Sequence, residues 1–410
     1  MGRPAFVEPD TVLQTGRFRI RRLFVLLAAL AGTTLYATPH LPHDDSIVLE
    51  HVPAAAATQK LASLRVRVAT HPQDLHSAIA LAQGYIAIGR AAADPRFISY
   101  AEATLAPWLQ IPHPDPVVLT LTATTEQYLH RFDQALRLLD RALALDRFNG
   151  QAWLTKATIL QVQGRFTEAR QACRPLIQIN GHLIALACLT GVNSLTGQLQ
   201  ASYDALSRVF SDDPRLDTAV RVWIWDQLAD MAERVGDDAA AERYFQAALV
   251  ASPGDGYTQG GYADLLLRQH RPAQVLILLG DQTQQDNLLL RLAIAAKQLG
   301  SERAGALSDA FQARYEAARC DGDFTHLREQ ARFLLEVRGD VRAAVELAER
   351  NWRVQREPAD VRIYWEAASA ADRSQDLRQL QEWIQQTHYE DAVLTPAVQH
   401  ELGTRTETAR

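Results

Sequence analysis

From about Gln59 onward the chain reads as a succession of amphipathic stretches, each roughly a dozen residues long and closed by glycine or a polar substitute. The most legible unit is residues 222–253, V-W-I-W-D-Q-L-A-D-M-A-E-R-V-G-D-D-A-A-A-E-R-Y-F-Q-A-A-L-V-A-S-P. Leu228 and Ala229 precede Gly236, and Ala241, Phe245, Ala248 and Leu249 follow it at i, i+4, i+7 and i+8. That spacing predicts one helix face, a turn, and a second helix face.

The unit recurs. Residues 151–180 place Trp153, Ala157, Gly164, Phe166 and Ala169 in equivalent positions, and the unit before them ends A-L-A-L-D-R at residues 142–147. Aligning on the turn gives Gly89, His130, Gly164, Gly197, Gly236, His270, Gly300, Gly339 and Ser374, a mean step of about 36 residues. Seven residues before each turn sit Ala82, Ala123, Ala157, Thr190, Ala229, Ala263, Ala293, Arg332 and Ala367. Seven of these nine are alanine, far more than chance supplies, so the repeat spans at least residues 75–385. Arg332 departs from the pattern, and a shift of one residue there puts Ala331 at the contact. Steps of 39–41 residues before His130, Gly236 and Gly339 predict longer helices or insertions, for example at residues 91–96, and residues 302–319 predict an extended second helix.

This pattern resembles the tetratricopeptide repeat. A small residue such as Ala229 lets two antiparallel helices approach closely. Phe245 fills the space between units, Ala248 admits the next helix, and Pro253 closes the unit. The resemblance implies an all-α fold, a right-handed α-solenoid of eight to nine helix pairs over residues 59–391, followed by a C-terminal tail at 392–410. It also implies that first helices line a concave groove that binds a protein or peptide. In the middle units the groove positions are Trp223, Asp226, Asp230, Glu233 and Arg234, then Tyr257, Asp264 and Arg268. Aromatic residues and arginine are enriched in binding hot spots, although a solvated helix face with two flanking aromatics has the same pattern. The basic and asparagine set that holds a terminal carboxylate in some tetratricopeptide domains is missing, so the resemblance favours a basic or extended partner segment. Trp352, Tyr364 and Trp365 read mainly as packing between units.

Composition changes the picture in three ways. A chain of 410 residues would ordinarily make two or three domains, but the repeat makes one solenoid. Glycine and proline number only 21 and 17, too few for an all-β sandwich yet enough for one or two turn residues per helix pair. A net charge of −6 argues against a nucleic-acid partner. Lys60, Lys156 and Lys297 are the only lysines; the arginine excess reads as genome base composition.

Ahead of the repeat, residues 17–22 read R-F-R-I-R-R and an apolar run occupies residues 23–37. The expected order is a basic cytoplasmic leader at 1–22, a signal-peptide core or membrane anchor at 23–38, and a flexible linker at 39–58. Fifteen helical residues rise about 22 Å, short of a roughly 30 Å hydrocarbon core, which leans toward a cleaved signal. The long leader suits an anchor better. Either reading puts the solenoid in the periplasm or cell envelope, with membrane contact only through residues 23–38. His40, His43, Asp44, Asp45 and His51 give the linker metal-ligating side chains, but a proline-broken tether does not preorganise them.

No nucleotide-binding, zinc-protease, hydrolase or C-x-x-C motif occurs, and the glycine-rich residues 253–261 follow a helix and read as a turn. No enzymatic activity and no cofactor are expected. Cys173 and Cys188 fall on adjacent helices, so a bridge is open to them in an oxidising compartment, leaving Cys320 free. The expected function is a scaffold or adaptor that binds a protein or peptide of the bacterial envelope. The alternatives are a periplasmic holdase or polymer-export accessory protein, and metal binding through the His-rich linker.

Overall fold

The computed structural model describes residues 56–92, 94–320 and 326–395. The leader at 1–22, the apolar run at 23–38 and the His40–His51 ligand set lie outside the described residues, as do most of the 392–410 tail and the side chain of Cys320. Among the described residues the regular elements are helical, and none is long and apolar enough to cross a membrane.

A first helix, α1 (Ala56–Thr70), begins inside the stretch read as linker and packs on α2, where Gly84 leaves room for Leu61. Among the described residues nine helix pairs follow. Their first, or A, helices are α2 (Leu75–Ala92), α4 (Pro116–Tyr128), α6 (Gly150–Val162), α9 (His182–Asn193), α11 (Thr218–Val235), α13 (Gly256–Arg268), α15 (Asp286–Gln298), α17 (Leu327–Arg332) and α19 (Pro358–Ala370). The second, or B, helices are α3 (Pro95–Leu109), α5 (Phe132–Leu145), the broken α7 (Phe166–Cys173) and α8 (Leu176–Ile179), α10 (Leu199–Val209), α12 (Asp238–Ala251), α14 (Pro272–Leu279), α16 (Ala304–Cys320), α18 (Val341–Trp352) and α20 (Ser374–Thr387). Asp94, Asp115, Asn149, Asp217, Asp237, Asp255 and Asp340 cap helix N-termini through their side chains.

The alanine ladder is the packing device. Ala123, Ala157, Ala229, Ala263 and Ala293 are inaccessible to water or nearly so, each where an A helix meets its partner. The turns seven residues later adopt positive φ at His130, Gly164, Gly197, Gly236, His270, Gly300 and Gly339. Two expected turns are displaced. Gly89 lies within α2, which continues to Ala92; a Cβ there would come 2.9 Å from Ile98 Cδ1, so Gly89 serves a close helix approach. In the ninth pair the left-handed residue is Asp372, at φ 53°, and Ser374 already opens α20. The contact position seven residues before Asp372 is therefore Trp365, not Ala367, and the indole is fully buried there.

Arg332 has a structural explanation. Residues Phe333–Arg338 form a π-helix, and the Asp340 N–H reaches back six residues to Leu334 O, where Arg165 reaches five to Leu160 O. The extra residue puts buried Ala331 at the close contact and turns Arg332 toward Asp264. Cys173 on α7 is disulfide-bonded to Cys188 on α9, joining the third pair to the fourth. Trp352, Tyr364 and Trp365 are buried as expected of packing residues.

The superhelix closes on itself with a constant offset. The turn of the first pair meets the loop before the seventh, where Gln285 Nε2 donates to Ala91 O at 3.4 Å. His130, in the second turn, has its ring 6.4 Å from that of His326, ahead of the eighth A helix. Gly164, in the third, lies against Arg356 ahead of the ninth, and the Arg356 N–H donates to Val162 O at 2.8 Å. Gly197, in the fourth, meets His388 after α20. Each of the first four turns therefore contacts the loop six pairs further on, and successive superhelical turns touch along a seam.

Candidate protein-binding groove

The A helices α11 and α13 carry all eight expected groove residues, and the seam decides which remain available. Glu233 and Arg234 do not. Arg234 is 2% exposed; its Nη1 and Nη2 donate to Ser194 O and Oγ, both at 2.8 Å, and Nη2 also bonds Asp230 Oδ2 at 2.7 Å. Glu233 accepts from Arg362 Nη1 at 3.0 Å and lies 3.7 Å from Arg268 Nη2, which itself bonds Asp238 at 2.8 Å. Burial raises the Glu233 pKa despite both guanidiniums. Asp264 is clamped between Arg291 and Arg332; burial pushes its pKa up, but the two arginines outweigh it and hold it below the usual carboxylate range.

Of the remaining positions Tyr257 is exposed, while Trp223, Asp226, Asp230 and Arg268 are half-buried. Among the described residues Asp226 accepts only from the Thr258 hydroxyl, 3.0 Å away, which also lies 3.0 Å from Asp255. Burial pushes the Asp226 carboxyl up to about 8, the Thr258 bond opposes this, and Asp255 adds to it. Tyr257 is 72% exposed, yet its hydroxyl is raised by surrounding protein and by the charges of Glu357, Asp226 and Asp230, against Arg328. Trp223 is half-buried beside Gln227, whose amide bridges the indole N–H and Ala187 O.

Packed against these helices is a group of residues that the repeat pattern does not single out. It comprises Arg328, Arg332, Glu357, Arg362 and Glu366, from pairs eight and nine. Arg328 bonds Glu357 at 2.9 Å and Asp360 at 3.3 Å. Glu366 has no ion-pair partner among the described residues; burial and Glu336 push it up to about 7, against Arg332 and Arg362. Arg332 alone carries a signal, as an arginine where the repeat calls for alanine. Among the described residues no group of three or more His, Cys, Asp or Glu side chains is placed to hold a metal ion.

Residues 129–182, from the end of α4 through α8, match the tetratricopeptide repeat family. No curated protein sequence matches the chain. Similar solved structures include the Cut9–Hcn1 hetero-tetramer of the APC/C, at 14% identity and TM-score 0.43, covering 72% of this chain and 55% of that one. A human IFIT1 dimer with PPP-AAAA is similar at 10% identity and TM-score 0.40, covering 80% and 94%. Yeast Tom70 is similar at 10% identity and TM-score 0.38, covering 81% of each. This chain thus spans 55% of the length of the Cut9–Hcn1 chain it matches. The family match at residues 129–182, with the buried alanine ladder and the recurring left-handed turns, shows that the described residues form a helical solenoid of the tetratricopeptide type.

Proposed function

We propose that the chain is a protein-interaction scaffold whose A-helix wall receives a basic or extended segment of a partner protein in the bacterial cell envelope. The observation that carries this reading is Asp226 beside Tyr257. Asp230, Glu233 and Asp264 are each matched by an arginine of the same chain, whereas Asp226 has one hydroxyl. An unmatched carboxylate next to an accessible phenol and a half-buried indole suits a guanidinium or ammonium group, which gains both charge pairing and contact with an aromatic face. The envelope location rests on the basic residues before the apolar run at 23–37, and the Cys173–Cys188 disulfide suits an oxidising compartment.

Crosslinking pull-down from intact envelopes, with the native chain and with Asp226→Asn/Tyr257→Ala, tests the proposal. One stoichiometric partner that the double variant loses supports a scaffold with this groove. A partner retained in full by the variant overturns the groove. Many substoichiometric clients would instead support a holdase.

A further inference from the structure

After α20 the chain turns at His388, which has φ 55°, and residues 388–395 run along the turns of the fourth and fifth pairs. They sit there as a bound peptide would. The Tyr389 ring is buried, 5.4 Å from the Trp383 ring, with the Arg234 guanidinium 6.0 Å from its centre. Glu390 accepts the Leu199 N–H at 2.9 Å, an amide in the first turn of α10 with no acceptor inside its own helix. Asp391, 5% exposed, takes Arg362 Nε at 2.8 Å and Nη2 at 3.2 Å, and also the Tyr389 hydroxyl at 3.0 Å. The Ala392 N–H donates to Arg234 O at 2.8 Å, and Leu394 is buried.

The receiving surface complements this segment in charge and shape. It offers Arg362 to Asp391, a helix N-terminal amide to Glu390, and the Arg234 guanidinium to the Tyr389 ring. A Cβ on Gly197 would fall 2.8 Å from His388 Cβ, and one on Gly236 3.4 Å from Ala392 Cβ, so the bare turns admit the passing backbone. A cleft of about 550 Å³ lies beside the segment, lined by Leu199, Gln200, Val235 and Ile384 together with the segment itself.

We propose that this edge of the solenoid is a peptide-binding surface occupied in cis by residues 388–395. It fits, in trans, a partner segment of the same chemistry and the same final turn: an aromatic residue, two carboxylates, then small and apolar residues. Among the described residues the contacts come from eight consecutive positions, so a separate chain can supply all of these. Tethering gives the internal segment an effective concentration on the order of millimolar, and a partner must compete against that. The surface lies on the turn edge and does not depend on the Asp226 groove.

The test titrates a fluorescently labelled synthetic peptide of residues 388–395 into the full chain and into its Tyr389→Ala/Asp391→Ala variant. The variant is expected to bind the peptide at least tenfold more tightly than the native chain, and a peptide carrying Asp391→Ala to bind at least tenfold more weakly. A variant with native circular dichroism that binds no better than the native chain overturns the proposal. If the double variant loses its helical signal, hydrogen exchange of the native chain decides. Excess peptide should speed exchange at the Ala392 amide while the A-helix amides stay unchanged, and an unaltered Ala392 rate overturns the proposal.

Discussion

Arg362 and Glu233 are 129 positions apart in the chain and 3.0 Å apart in space, and the same guanidinium holds Asp391. Burial raises the Glu233 pKa in spite of this pairing, so the ion pair contributes position more than net stability. Losing one partner is a different matter. Arg362→Ala would leave Glu233 with only the more distant Arg268, and Asp391 with the Tyr389 hydroxyl and the Val393 N–H but no cation. The expected loss in urea denaturation is about 3–5 kcal/mol, the cost of stranding buried charge. Arg342→Ala, which breaks an exposed pair, should cost under about 1 kcal/mol. Equal effects would show that the seam is not closed in solution.

The helix pairs are legible in the sequence because their contacts are local: Ala229 meets its partner helix within about twenty residues. The seam is not. Which turn meets which loop depends on the accumulated twist of six pairs, and no single residue encodes that offset. Arg234 and Glu233 therefore pass for groove residues, since nothing in residues 218–235 announces Arg362 or Tyr389. The same blindness explains the ninth pair, where Trp365 occupies a position that smaller residues hold elsewhere and the repeat spacing points two residues past the turn at Asp372. A charge reversal at Asp264, an obvious groove test from sequence, would mainly set Arg291 and Arg332 against a third cation.

Left-handed turns make a sharper stability prediction. His270 is exposed and sits at φ 56°, a conformation that strains any residue with a Cβ. His270→Gly should stabilise the chain by roughly 0.5–1 kcal/mol after the entropy of the added glycine is offset. Gly236→Ala, at φ 89°, should destabilise it by about 1–2 kcal/mol. Thermal unfolding of the two variants beside the native chain would reveal the opposite signs, and a destabilised His270→Gly would refute the assignment of strain.

The Cys173–Cys188 disulfide closes a loop with a sequence separation of 15. Closing a loop of that length is worth about 3 kcal/mol through the unfolded chain. Cys173→Ala/Cys188→Ala should lower stability by about 2–4 kcal/mol, both thiols being replaced in a buried site. Adding a reductant should reproduce most of the loss in the native chain and none in the variant. Identical stability with and without reductant would mean that the bridge is absent.

Asp226 ties stability to binding through pH. Burial holds its folded pKa at about 8, above the ordinary 3.8, so the folded chain keeps a proton that the unfolded chain releases. Below about pH 4 both states are protonated and Asp226 costs nothing. Stability should then fall as pH rises toward 8, and level off above it, because folding takes up a proton throughout that window. Asp226→Asn removes this group's share of the slope and leaves that of Glu366 and Glu233. It should be more stable than the native chain by about 1–3 kcal/mol at pH 8.5, after discount for partial solvent screening, and nearly equal at pH 4. Binding runs the other way, since a cationic segment selects the ionised carboxylate. Its affinity for the native chain should rise between pH 6.5 and 8.5, whereas its affinity for the Asp226→Asn variant should stay flat. Urea midpoints at both ends of the window, measured beside partner binding at the same pH values, separate the two effects. A native–variant stability gap that stays constant with pH would refute the neutral carboxyl, whereas a pH-dependent gap with flat binding would leave the carboxyl in place and remove Asp226 from the partner site.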